Sequence, residues 1–369
     1  MMCFRAKRKS KRTVSAPDLR ISSANSAASN VLSSSRSFPF PKSIPELYKE
    51  KEHNLRVFTY QELTDATCGF NRSLKIGEGG FGSVYRGKLL CKTGQTRRID
   101  VAVKKLNKYG RQGHKEWLAE VLFLGVVNHP NLVRLLGYCI EDDNREIQRL
   151  LVYEYMPNKS FEDHLFGKQV PPLSWATRLH IIHGAAEGLA YLHGGLETQV
   201  IYRDCKCSNI LLDKDFTPKL SDFGLAREGP RGEQTHVSTM PVGTYGYAAP
   251  EYVETGHLKA ESDIWSFGVV LYELLTGRRA IERNRPISEQ KLLLWVREFP
   301  ADSNKFCMIM DPRLKNDYSL NAAKAIAKLA DCCLSKHPKD RPSMNRVAEI
   351  LRQAVQQSES VTIPSAKSI

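Results

Sequence analysis

No apolar run in this chain approaches the ~18 residues of a membrane-spanning helix. The longest candidate, around 267–275, is interrupted by Glu273. The start is basic, but no apolar core of ~7–15 residues follows it, so we expect no secretory leader. Nine cysteines are scattered at 3, 68, 91, 139, 205, 207, 307, 332 and 333, with no C-x2-C pair recurring at zinc spacing. That speaks against a disulfide framework or a structural zinc site, and the thiols are expected to be reduced, as in the cytosol. The Asn-x-Ser matches at Asn71 and Asn158 are then fortuitous. Acid is missing from MMCFRAKRKSKR, which holds Arg5, Lys7, Arg8, Lys9, Lys11 and Arg12. Part of the net charge of +14 therefore belongs to a tail, not to a basic face. No nucleic-acid signature accompanies it, so no nucleic-acid partner is expected. Residues 1–50 are also poor in large apolar side chains and cannot bury a core.

What is present is ordinary globular material, 25% charged and 41% hydrophobic over 369 residues, enough for more than one lobe. Residues 1–57 read as a disordered basic, Ser-rich tail ending in a proline-rich linker, FPFPKSIPELY. FTYQELTDATCGF reads as a short helical lead-in over 58–73, with Thr59 and Glu62 in a capping box and Gly69 as a stop. From 74 to about 156, five strands and one helix make a β-rich lobe. SVYRGKLL, IDVAVKKL, LVRLLGYCI and QRLLVYEYM are the clearest strands, and HKEWLAEVLFLGVVNH repeats its apolar residues at helical spacing. From 157 to 356 the chain reads as helices: WATRLHIIHGAAEGLAYLH, DIWSFGVVLYELLTG stopping at Gly277, AAKAIAKLADCCLS and MNRVAEILRQAV. Residues 357–369 read as a disordered end. The fold class is α+β in two lobes.

IYRDCKCSNILLD (201–213) raises the chemical question. It offers a C-x-C pair and, around it, Asp204, Lys206 and Asn209. Eighteen residues after Asp204 comes SDFG, with Asp222, and 29 further on AAPE, with Glu251. Asn209 and Asp222 are oxygen donors suited to Mg2+, which takes few protein ligands beside substrate phosphates. Asp204 is then free to receive a hydroxyl proton, and Lys206 to neutralise a transferring phosphoryl group. Upstream, GEGGFGSV holds Gly77, Gly79 and Gly82 as G-x-G-x-x-G. A dinucleotide fold would need a helix next, whereas SVYRGKLL reads as a strand, so a hairpin over phosphates fits better. VAVK places Lys104 on a strand, and Glu120 on the following helix can hold its ammonium. Ser238, Thr239 and Thr244 lie between Asp222 and Glu251 in a polar, glycine-bearing segment, and Arg341 in DRPS is a candidate bidentate partner for Glu251. Each motif alone has a bland reading. Their order and spacing together do not.

The chain resembles the eukaryotic protein kinase family from about 70 to 356. The resemblance implies a bilobal kinase fold that transfers the ATP γ-phosphoryl group, with Mg2+ (or Mn2+), to protein hydroxyls. ATP would be covered by Ile76, Gly77, Glu78, Gly79, Gly80, Phe81, Gly82 and Val84, and bounded by Ala102 and the hinge residues Glu154 and Met156. Lys104 would contact the α/β-phosphates and pair with Glu120. Asp204 would be the base, and Asn209 with Asp222 would hold the metal. Lys206 is what serine/threonine kinases carry, and Tyr153 looks like the gatekeeper. FTYQELTDAT, GHKEWLAEV, LLVYEYMPN, SNILLD, VGTYGYAAPEY and SDIWSFGVVLYELLTGRR are similar to plant receptor-like cytoplasmic kinases of subfamily VII. That implies protein substrates, an upstream receptor kinase complex and a role in innate immunity. The competing reading, a pseudokinase scaffold, is disfavoured because Lys104, Glu120, Asp204, Asn209 and Asp222 are all present.

Two departures remain. Tyr202 replaces the usual His, keeping an aromatic plane beneath the DFG turn, while Arg203 is retained and can read a phosphate on Ser238 or Thr239. Residue 2 is Met2, which closes the myristoylation route common in the subfamily. Cys3 remains as a palmitoylation candidate. One acyl chain binds membrane with K of order 10^4 M−1, and each nearby basic residue adds about 1 kcal/mol at an anionic leaflet. The tail is therefore expected at the cytoplasmic face of the plasma membrane, with cytosol or nucleus, through KRKSKR, as the alternative. For Cys205 and Cys207, oxidisable thiols beside the catalytic Asp are the functional reading to weigh against ordinary loop positions.

Overall fold

Alternation writes the first lobe. In IDVAVKKL, Val101 and Val103 are fully buried on one face of the strand, and Ala102 and Lys104 stand on the other. In this computed structural model, which describes residues 42–51, 55–79, 82–90, 98–107, 111–143, 146–168, 170–315 and 317–362, six strands form one sheet. They are β1 (Arg56–Val57), β2 (Lys75–Gly79), β3 (Gly82–Leu90), β4 (Arg98–Leu106), β5 (Leu135–Asp143) and β6 (Glu146–Glu154). Their order is β1-β5-β6-β4-β3-β2, antiparallel except for β1 on β5. The register sets Val84 beside Lys104, Lys104 beside Leu151 and Ala102 beside Tyr153, so these side chains share the face opposite Val101 and Val103. The Val101 and Val103 face packs on Phe58, Leu63, Leu89, Cys139, Leu150 and Val152.

The lead-in helix α2 (Tyr60–Ala66) carries the expected capping box between Thr59 and Glu62. The linker expectation for the stretch before it is overturned. Ile44–Lys51 is a helix, α1, with Ile44 and Tyr48 buried, and Arg56–Val57 joins the sheet. Of the proline cluster that suggested an extended linker, Pro45 falls in the first turn of α1, where a missing N–H costs no intrahelical bond. The first-lobe helix is α3 (Arg111–Val126), anchored where Trp117 Nε1 donates to the Leu150 carbonyl at 3.1 Å.

The second lobe contains α4 (Phe161–Phe166), α5 (Trp175–Gly194), α6 (Pro250–Thr255), α7 (Ala260–Thr276), α8 (Leu292–Trp295), α9 (Leu320–Cys333) and α10 (Met344–Thr362). Residues Ser262 to Thr276 of α7 are all buried, as its unbroken apolar pattern implies, and it stops at Gly277 in the left-handed region, φ 62°. The core is tied through Arg178 of α5, which is fully buried between the Leu274 carbonyl at 3.0 Å and Asp311 at 2.6 Å. The closing helix α10 runs to Thr362, past the boundary at 356 read from the sequence. Short pairs β7 (Val200–Ile201), β8 (Ile210–Leu212), β9 (Pro218–Leu220), β10 (Arg227–Glu228), β11 (Val237–Ser238) and β12 (His257–Leu258) frame the loops between α5 and α7. The tail with Cys3, together with Gly80 and Phe81, lies outside the described residues.

Candidate active site

The loop 202–209 is held from beneath by α7. Asp263 accepts the backbone N–H of Tyr202 at 2.8 Å and of Arg203 at 2.6 Å. Those bonds hold Arg203 at φ 75°, a left-handed conformation that a non-glycine residue adopts only when its surroundings over-determine it. Tyr202 is buried. Its ring lies 5.2 Å from that of Phe223, and its hydroxyl donates to the Ser221 carbonyl. The aromatic plane expected under the DFG turn is thus in place, and its phenol adds a tether to the strand entering that turn.

Two clusters of charge meet across the lobes. In the first, Lys104 Nζ lies 2.6 Å from Glu120 Oε1 and 2.8 Å from Asp222 Oδ1. Strand β4, helix α3 and the DFG turn thus meet at one ammonium, and β6 holds Glu120 through the Tyr153 hydroxyl, which donates to it. Burial alone would depress the Lys104 ammonium, but Glu120 and then Asp222 outweigh it and hold it above its ordinary value. Burial likewise works to raise Asp222, and Lys104 overcomes it, with help from Lys206 and the Gly224 N–H, so its carboxyl lies below the usual range. Both groups are therefore charged at neutral pH.

In the second cluster, Asp204 Oδ2 accepts from Lys206 Nζ at 2.7 Å and Asn209 Nδ2 at 2.9 Å. Its Oδ1 accepts the Thr244 hydroxyl at 2.8 Å. Lys206 Nζ also reaches Thr244 Oγ1 at 2.8 Å. Asn209 donates through Nδ2 alone, to the Asp204 carboxylate and carbonyl, which leaves its amide oxygen as an acceptor-type ligand. Asp222 supplies the other oxygens, and its carboxylate is one-third exposed. This oxygen set fits a hard divalent cation that also binds phosphate.

Segment 236–251 is built around Arg203. Its guanidinium reaches Thr239 Oγ1 at 3.2 Å, the Met240 carbonyl at 2.6 Å and the Tyr252 hydroxyl at 2.7 Å. Ser238 is exposed and pairs across strands with His257. Glu251 and Arg341 form the bidentate pair read from the sequence, both contacts at 2.7 Å, with Arg341 also donating to the Glu261 and Ser335 carbonyls.

The strands flanking the glycine-rich turn bring Val84 beside Lys104. A Cβ on Gly82 would stand 2.2 Å from the Lys105 carbonyl oxygen, so the close approach of β3 to β4 requires glycine there. Gly77 pairs with Val84, and Ile76 is half exposed. The Glu78 side chain turns to solvent and pairs with Lys75 at 2.7 Å, so only its backbone lies in the turn. Met156 is buried, and Glu154 is fixed by its carboxylate accepting the Arg134 N–H at 2.8 Å.

Cys205 and Cys207 are free, buried thiols, both pushed well up by burial. Cys207 Sγ lies 3.0 Å from Glu273 Oε2. Among the described residues, no group of three or more His, Cys, Asp or Glu is placed to hold a metal ion. A buried thiol with a raised pKa has little thiolate to oxidise, so the structural reading of this pair stands and the redox reading falls. Sequence reasoning missed Asp263, Tyr252 and Glu273, together with Tyr247, whose hydroxyl donates to Glu273 at 2.7 Å. Asp263 and Glu273 had a signal, being acids inside an otherwise apolar helix; the tyrosines had none short of the fold.

A family profile described as "Protein kinase domain" matches residues 70–354. The chain is similar to the probable serine/threonine-protein kinase PBL20 of Arabidopsis thaliana, 56% identical over 362 residues, covering 96% of this chain and 91% of that protein. It is 49% identical over 332 residues to receptor-like cytoplasmic kinase 176 of Oryza sativa subsp. japonica, covering 88% of this chain and 82% of that one. It is 52% identical over 312 residues to an EPD1-interacting receptor-like cytoplasmic serine/threonine-protein kinase of Nicotiana benthamiana, covering 84% and 66%.

Proposed function

The chain belongs to the protein kinase family as a receptor-like cytoplasmic serine/threonine kinase, and from that premise we propose how its residues act, on what and where. A protein kinase domain uses ATP with a divalent metal, and we take the ion to be Mg2+ (or Mn2+). Bound Mg-ATP supplies the transferable γ-phosphoryl group and part of the charge neutralisation. Asp222 and the Asn209 amide oxygen hold the cation. Lys104, kept charged by Glu120, binds phosphate oxygens as a fixed point charge. The Asp204 carboxylate orients a substrate Ser or Thr hydroxyl and takes its proton at a carboxylate oxygen as the hydroxyl oxygen bonds to the γ-phosphorus, the β–γ P–O bond breaks and ADP leaves. Lys206, which touches Asp204 and Thr244, neutralises charge on the group in transfer. Val84, Ala102 and Met156 bound the adenine, with Tyr153 behind it.

The observation that carries this reading is the convergence of Glu120 and Asp222 on Lys104, at 2.6 and 2.8 Å. It draws on three elements, strand β4, helix α3 and the DFG turn, and sets a phosphate-binding group beside a metal-binding one. The purified chain should transfer labelled γ-phosphate to itself and to a general protein substrate. Asp204→Asn should lower kcat by about 10^2–10^4, the usual contribution of a positioned base. An unchanged kcat would overturn the assignment of Asp204.

We further place the protein downstream of a receptor kinase at the cytoplasmic face of the plasma membrane, in innate immunity. The support is indirect: a relative named for interaction with EPD1, and six basic residues beside Cys3. Ser238 and Thr239 are the proposed activating phosphorylation sites.

A further inference from the structure

We propose that residues 42–51 form a strap that positions helix α3, and that Tyr48 and Ile44 are positioning residues for the Lys104–Glu120 pair. The proposal rests on the role given above to that pair. Helix α3 delivers Glu120, yet its C-terminal end is seated by α1 as well as by the sheet. Residue 125, five positions beyond Glu120 and next to last in α3, is a glycine in helical conformation, where alanine would favour the helix more. Its reason is visible: a Cβ there would stand 2.6 Å from the Tyr48 ring. Lys51 Nζ closes the contact by donating to the Val126 carbonyl at 2.9 Å, capping an orphan acceptor at the helix end.

The other side of the strap is fixed to the second lobe. The Lys42 N–H donates to Glu197 Oε1 at 3.0 Å, and Thr198 Oγ1 donates to the Lys42 carbonyl at 2.5 Å. The Ile44 N–H donates to Glu228 Oε1 at 2.7 Å, and Ile44 and Tyr48 are each 1% exposed. Glu228 lies on β10, six residues after Asp222, and β10 pairs with β7, the strand that enters the catalytic loop. The strap therefore joins the helix that carries Glu120 to the segment that leaves Asp222. These are the two carboxylates on Lys104. Releasing the strap frees the end of α3 without touching any group that meets nucleotide.

The test uses the full chain and three variants: Tyr48→Ala, Tyr48→Phe and Gly125→Ala. Gly125→Ala strengthens α3 as a helix and displaces the ring, so a loss of activity there cannot come from a weaker helix. We expect Tyr48→Ala and Gly125→Ala to lower kcat/KM for Mg-ATP about tenfold, with the folded fraction unchanged and faster amide exchange over 117–126. Tyr48→Phe, which keeps the ring, should retain activity. Wild-type kcat/KM in Tyr48→Ala, or a loss wholly accounted for by unfolded protein, would sink the strap. Lys104→Met separates the two layers. If it is active, the site reading itself fails; if it is dead while Tyr48→Ala is wild type, only the strap fails.

Discussion

Glu273 is fully buried in α7, where it accepts from the Tyr247 hydroxyl at 2.7 Å and the Ala280 N–H at 2.8 Å, beside Cys207. Burial, with the Glu162 carboxylate adding to it, raises its carboxyl from 4.5 to about 7 against the pull of those donors. The folded chain thus keeps a proton that the unfolded chain gives up. Its contribution is fully present below pH 4.5 and is lost as pH rises to about 7. The loss is of order 3 kcal/mol. Glu273→Gln stays neutral and keeps the acceptor, so its melting temperature should change less with pH across that window than wild type. Parallel pH dependence of the two proteins would refute this. In the sequence Glu273 showed only as a break in an apolar run. Beyond the nearby Ala280 N–H, its partners come from the catalytic loop and the segment before α6, and no local pattern announces a partner 66 residues away, as Cys207 is.

Elements were legible where their signals were local. The capping box at Thr59 and the glycine stop of α7 could be read directly, and both are present. The same logic applied to Ser43-Ile44-Pro45-Glu46 would have found α1: Ser43 Oγ and the Ser43 N–H both bond Glu46, each at 2.7 Å. The neighbouring prolines hid it. Strand β11 shows what the fold adds beyond pattern. It pairs with β12 and leaves Thr239, the next residue, against Arg203. A phosphate there would bring a charge of about −1.5 to −2 to a guanidinium already in place. Thr239→Ala should therefore reduce the activity of the phosphorylated enzyme about tenfold and more than Ser238→Ala does, since Ser238 faces solvent. Arg203→Ala should give a similar loss, and the double variant no further loss, because the two act as one contact. Additive losses in phosphate-transfer assays would break the link.

At the scale of the whole molecule, the two-lobed architecture followed from the switch in period, from strands to helices, near residue 157. The order of the strands did not, because the parallel pairing of β1 on β5 depends on where α1 and α2 place the incoming chain. No helix among the described residues is long and apolar enough to cross a membrane. If one acyl chain and six basic residues act together as proposed, a fluorescent fusion should sit at the plasma membrane and lose that signal on Cys3→Ser, since neither alone holds a protein there stably. Retention of the signal would remove lipidation from the account.

Tyr153 carries a consequence for chemical control of this enzyme. Its ring lies beside Ala102, on the sheet face where we propose that adenine binds, and its hydroxyl is bonded to Glu120. Shaving that position to a small residue, so that only the engineered enzyme admits an enlarged adenine analogue, would also cut the tether on Glu120. Wall and tether are one side chain, so a drug-sensitised allele made here would begin from a weakened ion pair and would need a second substitution elsewhere to recover its rate.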